Sequence, residues 1–247
     1  MLKKTVEKTI VTVEGKPVPA KVYREWRRSI RFSLGKTGAI MRMPTVLTKA
    51  QQQAQFANFE KWVRDQILQK PSLGERFFGK GYQTGDVLKV GKRSYVLTIE
   101  ETENKTHTAK LRNGQIYLRL TNKDNQMHLQ KAIKQLLSRV IAQDFLPEIQ
   151  KRVLALNDQF FQKTIKSINL KYNTSNWGSC STKGNVNLST RLLFAPDEVI
   201  DYVIIHELAH LIEMNHSSRF WTIVQKAMPS YKEKEKWLKK NGHLCDF

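Results

Sequence analysis

His206-Glu207-Leu208-Ala209-His210 lies inside an apolar run, and it constrains the chain more tightly than any other feature. Tyr202-Val203-Ile204-Ile205 precedes it, Leu211-Ile212 follows, and Pro196 stands at the front, so the pattern predicts a helix over residues 197–214. Side chains four apart on an α-helix differ by about 40° around its axis, so the two imidazoles share a face and can share one metal ion. Glu207 is turned aside from that pair, placed to reach a water on the ion without being a ligand. Two neutral imidazoles and a carboxylate are costly on so apolar a helix unless they have a use. Zinc hydrolysis needs this pattern: the ion acidifies water and polarises a carbonyl, while the carboxylate takes the proton and passes it to the leaving amine.

A catalytic zinc ion usually takes three protein ligands. His216 follows His210 by six residues, and Asn215 can adopt the left-handed conformation that ends a helix and swings the next side chain back. His216 is therefore the expected third ligand. Glu213, three residues after His210, is its rival if the helix runs on. The other histidines, His107, His128 and His243, read as ordinary side chains outside the site, the alternative for His243 being a transition-state donor folded back from near the C-terminus.

The 247 residues carry 42 Lys and Arg against 22 Asp and Glu, a formal charge of +20. Residues 1–49 hold 12 basic and 3 acidic side chains, while residues 200–247 hold 7 and 6, so the positive field concentrates away from the histidines. A 40% hydrophobic content excludes a disordered chain, and no apolar run approaches the roughly 20 residues of a membrane span. The N-terminus mixes both charge signs rather than forming a secretory leader, and there are only two cysteines, Cys180 and Cys245. Together these point to a cytoplasmic protein with reduced thiols.

The expected architecture is α+β. A basic β-rich region over residues 1–124 with one helix precedes a mainly helical domain with a small sheet over 125–247. Residues 9–44 read as a β-meander. A helix runs from the Thr48 cap to Pro71, followed by a loop containing Gly74, Gly79 and Gly81. Residues 86–119 read as a small antiparallel sheet, and Asn125–Asn157 as one or two helices perturbed at Pro147. Short strands are expected at Ile165–Tyr172 and Gly184–Leu188 around a turn region at 177–183, with helices at Ser217–Ala227 and Tyr231–Asn241.

Asn176-Trp177-Gly178-Ser179-Cys180-Ser181, Gly184-Asn-Val-Asn-Leu188, Arg191-Leu-Leu193, Ala195-Pro196, the HELAH segment and Asn215-His216-Ser217 with Phe220-Trp221 together resemble the YgjP-like metallopeptidase family. These motifs cover about residues 165–242. The resemblance implies a zincin-like metallopeptidase domain over 125–247, with His206, His210 and His216 as Zn²⁺ ligands, Glu207 as the catalytic acid/base, and a protein or peptide substrate. The family usually has Arg where Asn176 stands, and often Asn-Trp where this chain has Ser189-Thr190. In such sites a strand edge beside the helix commonly pairs with substrate backbone, and Gly184–Leu188 is the expected edge. Trp177 and Cys180 read either as core packing or, for Cys180, as an inhibitory thiolate near the metal. Phe220 and Trp221 read as packing behind the ligand loop.

The motifs are also similar, more distantly, to SprT-like proteases, which act on proteins crosslinked to DNA. Tyr23, Trp26 and Phe32 lie among Lys21, Arg24, Arg27, Arg28, Arg31 and Arg42, a composition suited to DNA or RNA. A zinc peptidase is therefore the first expectation, and a protease bound to nucleic acid through its basic front region the second.

Overall fold

The computed structural model describes residues 4–35, 37–78, 81–124 and 126–247. Met1–Lys3, Gly79 and Asn125, which entered the readings of the N-terminus, the loop and the helix start, lie outside them. The chain is α+β and forms two compact units, residues 1–81 and 82–247.

In the first unit, β1 (Thr5–Val13) and β2 (Lys16–Glu25) form a hairpin, followed by β3 (Arg31–Leu34) and β4 (Ala39–Pro44). The sheet order is β1-β2-β4-β3, with β2 and β4 parallel. It is therefore not a simple meander, because β3 takes the edge and β4 inserts beside β2. Alternate residues Val18, Ala20 and Val22 of β2 and Ala39, Met41 and Met43 of β4 turn inward. They meet Phe59, Val63 and Ile67 of α1 (Lys49–Gln69). Thr48 caps α1 in a capping box with Gln51, as the sequence predicts. The segment expected as a loop is instead a second helix, α2 (Pro71–Phe78), with proline at its first position, where a missing N–H costs nothing.

The second unit opens with β5 (Val87–Val90), β6 (Arg93–Thr102), β7 (Thr108–Arg112) and β8 (Gln115–Thr121), in the order β5-β6-β8-β7. β6 and β8 pair in parallel, so this sheet too is mixed rather than wholly antiparallel. Its inward row, including Leu97, Ile116 and Leu118, shares one core with Leu137, Ile141 and Ile149 of the 35-residue helix α3 (Gln126–Phe160). That shared core explains why the compact units divide at 81/82 rather than at the expected 124/125: the second sheet packs with the helices that follow it. Pro147 lies inside α3 without ending it.

A three-stranded sheet follows, made of β9 (Ser167–Lys171), β10 (Gly178–Cys180) and β11 (Asn185–Ser189), in the order β10-β11-β9. β10 was not expected, and it occupies the segment read as a turn. The helices are α4 (Asp197–Ala209), α5 (Ser218–Ala227) and α6 (Tyr231–Asn241). α4 is the central element, with Val199, Ile200 and every residue from Tyr202 to Ile205 buried. Arg152 of α3 holds its start: the guanidinium donates to both carboxylate oxygens of Asp201, at 2.5 and 3.0 Å, and to the carboxylate and carbonyl of Asp197. Among the described residues no helix is long and apolar enough to cross a membrane.

Candidate active site

α4 ends at Ala209, earlier than the apolar pattern suggested. His210 caps it, and the chain tightens through bonds from the His210, Leu211 and Ile212 amides to the Glu207, Leu208 and Ala209 carbonyls. Asn215 is not among the residues with positive φ, so the reversal comes from this tightened turn rather than from a left-handed asparagine. The turn returns His216 to the helix, and Ser217 then caps α5 by accepting from the Phe220 amide.

The result brings His206, His210 and His216 together, each offering a nitrogen within 4.8 Å of the others. Among the described residues this is the one group of three or more His, Cys, Asp or Glu side chains able to hold an ion. Glu213 is not in it; its carbonyl accepts from His210 Nδ1 at 3.1 Å, and its carboxylate faces Arg219. Because a carbonyl can only accept, His210 carries its proton on Nδ1 and leaves Nε2 bare. The Nε2 atoms of His206 and His216 lie 3.0 Å apart, and His206 Nδ1 is buried without a partner. Burial, reinforced by the neighbouring His210 and His216, pushes the His206 imidazole down to about 4, and burial also lowers that of His210. Both are neutral at neutral pH, the form that binds metals.

Phe220 backs all three rings, with centroids 4.9, 4.6 and 4.8 Å from those of His206, His210 and His216. It is fully buried, and Trp221 packs against His206 and His216 at 5.9 Å, so the aromatic pair serves as packing, as expected.

Glu207, turned aside from the histidines toward β10, is buried, and burial pushes its carboxyl up to about 8. Its place depends on Gly178: a Cβ there would stand 2.6 Å from Oε1 of Glu207, 2.7 Å from Cγ and 2.8 Å from Cδ. Cys180, two residues along the same strand, faces the same way. Burial, with the Glu207 charge beside it, raises its thiol to about 11. Cys180 is a free, protonated wall of the Glu207 site, outside the histidine cluster.

The histidines and Glu207 open into a cleft of about 600 Å³. β10 and the preceding Asn176 and Trp177 form one wall, and Tyr202, Val203, Leu238, Glu235 and Lys239 line the cleft from α4 and α6. The strand at the cleft is β10, not the expected Gly184–Leu188, which lies inside the sheet between β10 and β9. Trp177 is held between the Arg191 guanidinium, 4.8 Å from its ring, and Gly242, where a Cβ would approach the indole to 2.6 Å. Arg191 also donates to the carbonyls of Thr174, Gly242 and Cys245, fixing the segment after α6. His243 belongs to that segment but is exposed and does not line the cleft.

Three of the six basic side chains in the stripe, Arg24, Arg27 and Arg42, are engaged internally. Arg24 pairs with Glu7, and Lys4, Arg27 and Arg42 pair with Glu25. Phe32 packs against Phe59 and Trp62, and Tyr23 lies under Arg42 and Lys4. Of the three aromatics in the stripe, Trp26 alone stands out, at 84% exposed.

A family model described as "YgjP-like, metallopeptidase domain" matches residues 28–241. The chain belongs to the YgjP-like metallopeptidase family. Membership brings a metal ion and a protein or peptide substrate, and the match extends well forward of the motifs, into the first unit. No curated protein matches the chain. Among solved structures, the metallopeptidase zymogen of Pyrococcus abyssi abylysin is 26% identical, with 37% of this chain and 93% of that one covered at a TM-score of 0.35. The zymogen of Methanocaldococcus jannaschii jannalysin is 21% identical, covering 37% and 94% at 0.33.

The sequence reading did not assign the work of Gly178 or the α6 wall. For α6 the signal was there, Glu235, Leu238 and Lys239 at the 3–4 spacing of one helix face, whereas the strand that gives Gly178 its place is set by its pairing with β11.

Proposed function

We propose that this YgjP-like metallopeptidase is a zinc peptidase in which His206, His210 and His216 hold the ion and Glu207 carries the proton. The observation that bears most weight is the convergence of three imidazoles beside a buried carboxyl. Their donor set suits zinc: nitrogens about 2.1 Å from a tetrahedral ion sit about 3.4 Å apart, near the 3.0 Å between the Nε2 atoms of His206 and His216. The bare Nε2 of His210 fits the same use. When bound, the ion supplies a Lewis acid that polarises the scissile carbonyl and makes water more acidic.

The chain's own residues do the rest. Glu207, desolvated against Gly178 and Cys180, accepts a proton from water in the cleft and returns it to the departing amine nitrogen. A raised carboxyl is suited to hold that proton between the two steps, and a cation held by the three histidines would lower it toward the charged form. The outer edge of β10 offers backbone donors and acceptors to an extended peptide, which would add to the sheet as a further strand.

Metal analysis and peptide digestion of the wild type and Glu207→Gln test this reading. About one zinc ion per chain is expected in both, with hydrolysis in the wild type alone. Hydrolysis by Glu207→Gln at the wild-type rate contradicts the role of Glu207.

A further inference from the structure

We propose that the open face of the first unit's sheet binds single-stranded nucleic acid, its free cations pairing with backbone phosphates while Trp26 stacks on a base. The face turned toward α1 is apolar and filled. Side chains alternate between the two faces of a strand, so the register sets what the opposite face carries. Lys8 of β1 stands directly opposite Lys21 of β2, and Arg42 of β4 directly opposite Arg31 of β3. Tyr23, two residues along β2 from Lys21, is the partner of Arg42 in the parallel pair, which puts both cationic pairs on one face. Directly opposed side chains have Cβ atoms about 4.5–5.5 Å apart, and like charges so placed repel. Lys8, Lys21 and Arg31 are exposed and make no ion pair among the described residues.

The carboxylate on this face, Glu25, does not neutralise them. It lies 3.1 Å from Arg42, 3.3 Å from Arg27 and 3.6 Å from Lys4, so one negative charge already serves three cations. Glu25 ends β2, and the loop after it carries Trp26 and Arg28. Trp26 is 84% exposed, and among the described residues its indole has neither a ring nor a cation against it. Arg28 is likewise exposed and unpaired. A polyanion relieves the repulsion across both cationic pairs and sheds its condensed counterions as it binds. A flat, unpartnered indole takes a base on its face whatever the base is. A duplex keeps those base faces inside its stack, so a single strand suits Trp26 better. An acidic peptide would satisfy the cations but brings no obligatory ring. A lipid surface calls for a contiguous apolar patch, whereas the exposed Val6 and Ile10 of this face flank Lys8 singly. The face uses neither the histidines nor the cleft, so its fate and that of the peptidase reading are independent.

Fluorescence anisotropy of the full chain with a labelled oligothymidylate of about 20 nucleotides tests this. Lys8, Lys21, Arg28 and Arg31 are free to meet phosphates, so the slope of log affinity against log salt should be about −3, a loss of about 50-fold between about 50 and 200 mM salt. Lys8→Gln combined with Lys21→Gln should halve that slope. Because it removes a repulsive pair, the same double variant should unfold at an unchanged or higher temperature. Trp26→Ala should weaken binding about 5- to 150-fold at constant slope, and Trp26→Phe should recover most of the loss. Zinc content and peptide hydrolysis should be the same in all of these variants. The oligonucleotide annealed to its complement, polyglutamate, and vesicles containing phosphatidylserine stand in for the rival partners, and each should bind more weakly than the single strand. Absence of single-strand binding at the lower salt concentration, binding by Trp26→Ala equal to that of the wild type, or tighter binding of any rival partner overturns the proposal.

Discussion

A single methyl group probes how tightly Glu207 is held. Gly178→Ala would place that methyl inside the space its carboxylate occupies, against a side chain that is buried and has little room to retreat. The proposed metal ligands come from α4 and the turn after it, not from β10, so they should stay put while Glu207 moves. The expected outcome is a fall in kcat of about 100-fold, the scale of a 1 Å displacement of a catalytic group, with zinc content unchanged. Parallel loss of zinc would mean that the strand supports the ligands as well. Phe220 makes a complementary case. It touches all three histidine rings and is fully buried, so Phe220→Ala should destabilise the fold by about 3–5 kcal/mol in urea unfolding and weaken metal binding.

The elements differ in how far local sequence dictated them. α1 was legible because Thr48 and Gln51 form a reciprocal cap and Phe59, Val63 and Ile67 repeat at helical spacing. α6 matches its expected limits without such a cap, Ser230 making no side-chain cap bond and Tyr231 and Leu238 supplying its buried side. His206 of α4 and His210 at its cap were legible from spacing alone, but the end of that helix was not. Leu211 and Ile212 prolong the apolar pattern, whereas the backbone stops at Ala209 so that His216 can return. β10 escaped notice because Gly178-Ser179-Cys180 has no strand-forming residue; it is a strand through its pairing with β11, a nonlocal fact. The parallel pairs β2·β4 and β6·β8 are likewise decided by which strand inserts, which periodicity does not encode. Arg152 shows how α4 is fixed from outside itself: its planar fork meets Asp201 with two bonds and Asp197 with two more. Arg152→Lys keeps the charge and loses the fork, and it should cost about 2–3 kcal/mol in chemical denaturation.

At the scale of the molecule, two hydrophobic cores are each assembled from their own unit. The one around α4 draws its buried residues from Leu88 to Phe247, and the other from Val11 to Ile67. A fragment of residues 82–247 should therefore unfold cooperatively in calorimetry and still bind zinc; a fragment without a transition would mean that the first unit is needed for folding. The net charge of +20 is mostly carried outside the helices that form the cleft, so the proposed chemistry rests on burial and convergence rather than on long-range field. Its central element is the third ligand, because His206 and His210 follow from helix spacing, while His216 depends on the turn that brings the chain back. Zinc content measured side by side for His216→Ala and Glu213→Ala examines that element directly. The expected result is near-complete loss of bound zinc in His216→Ala and about one ion per chain in Glu213→Ala; retention in the first with loss in the second contradicts the three-histidine site.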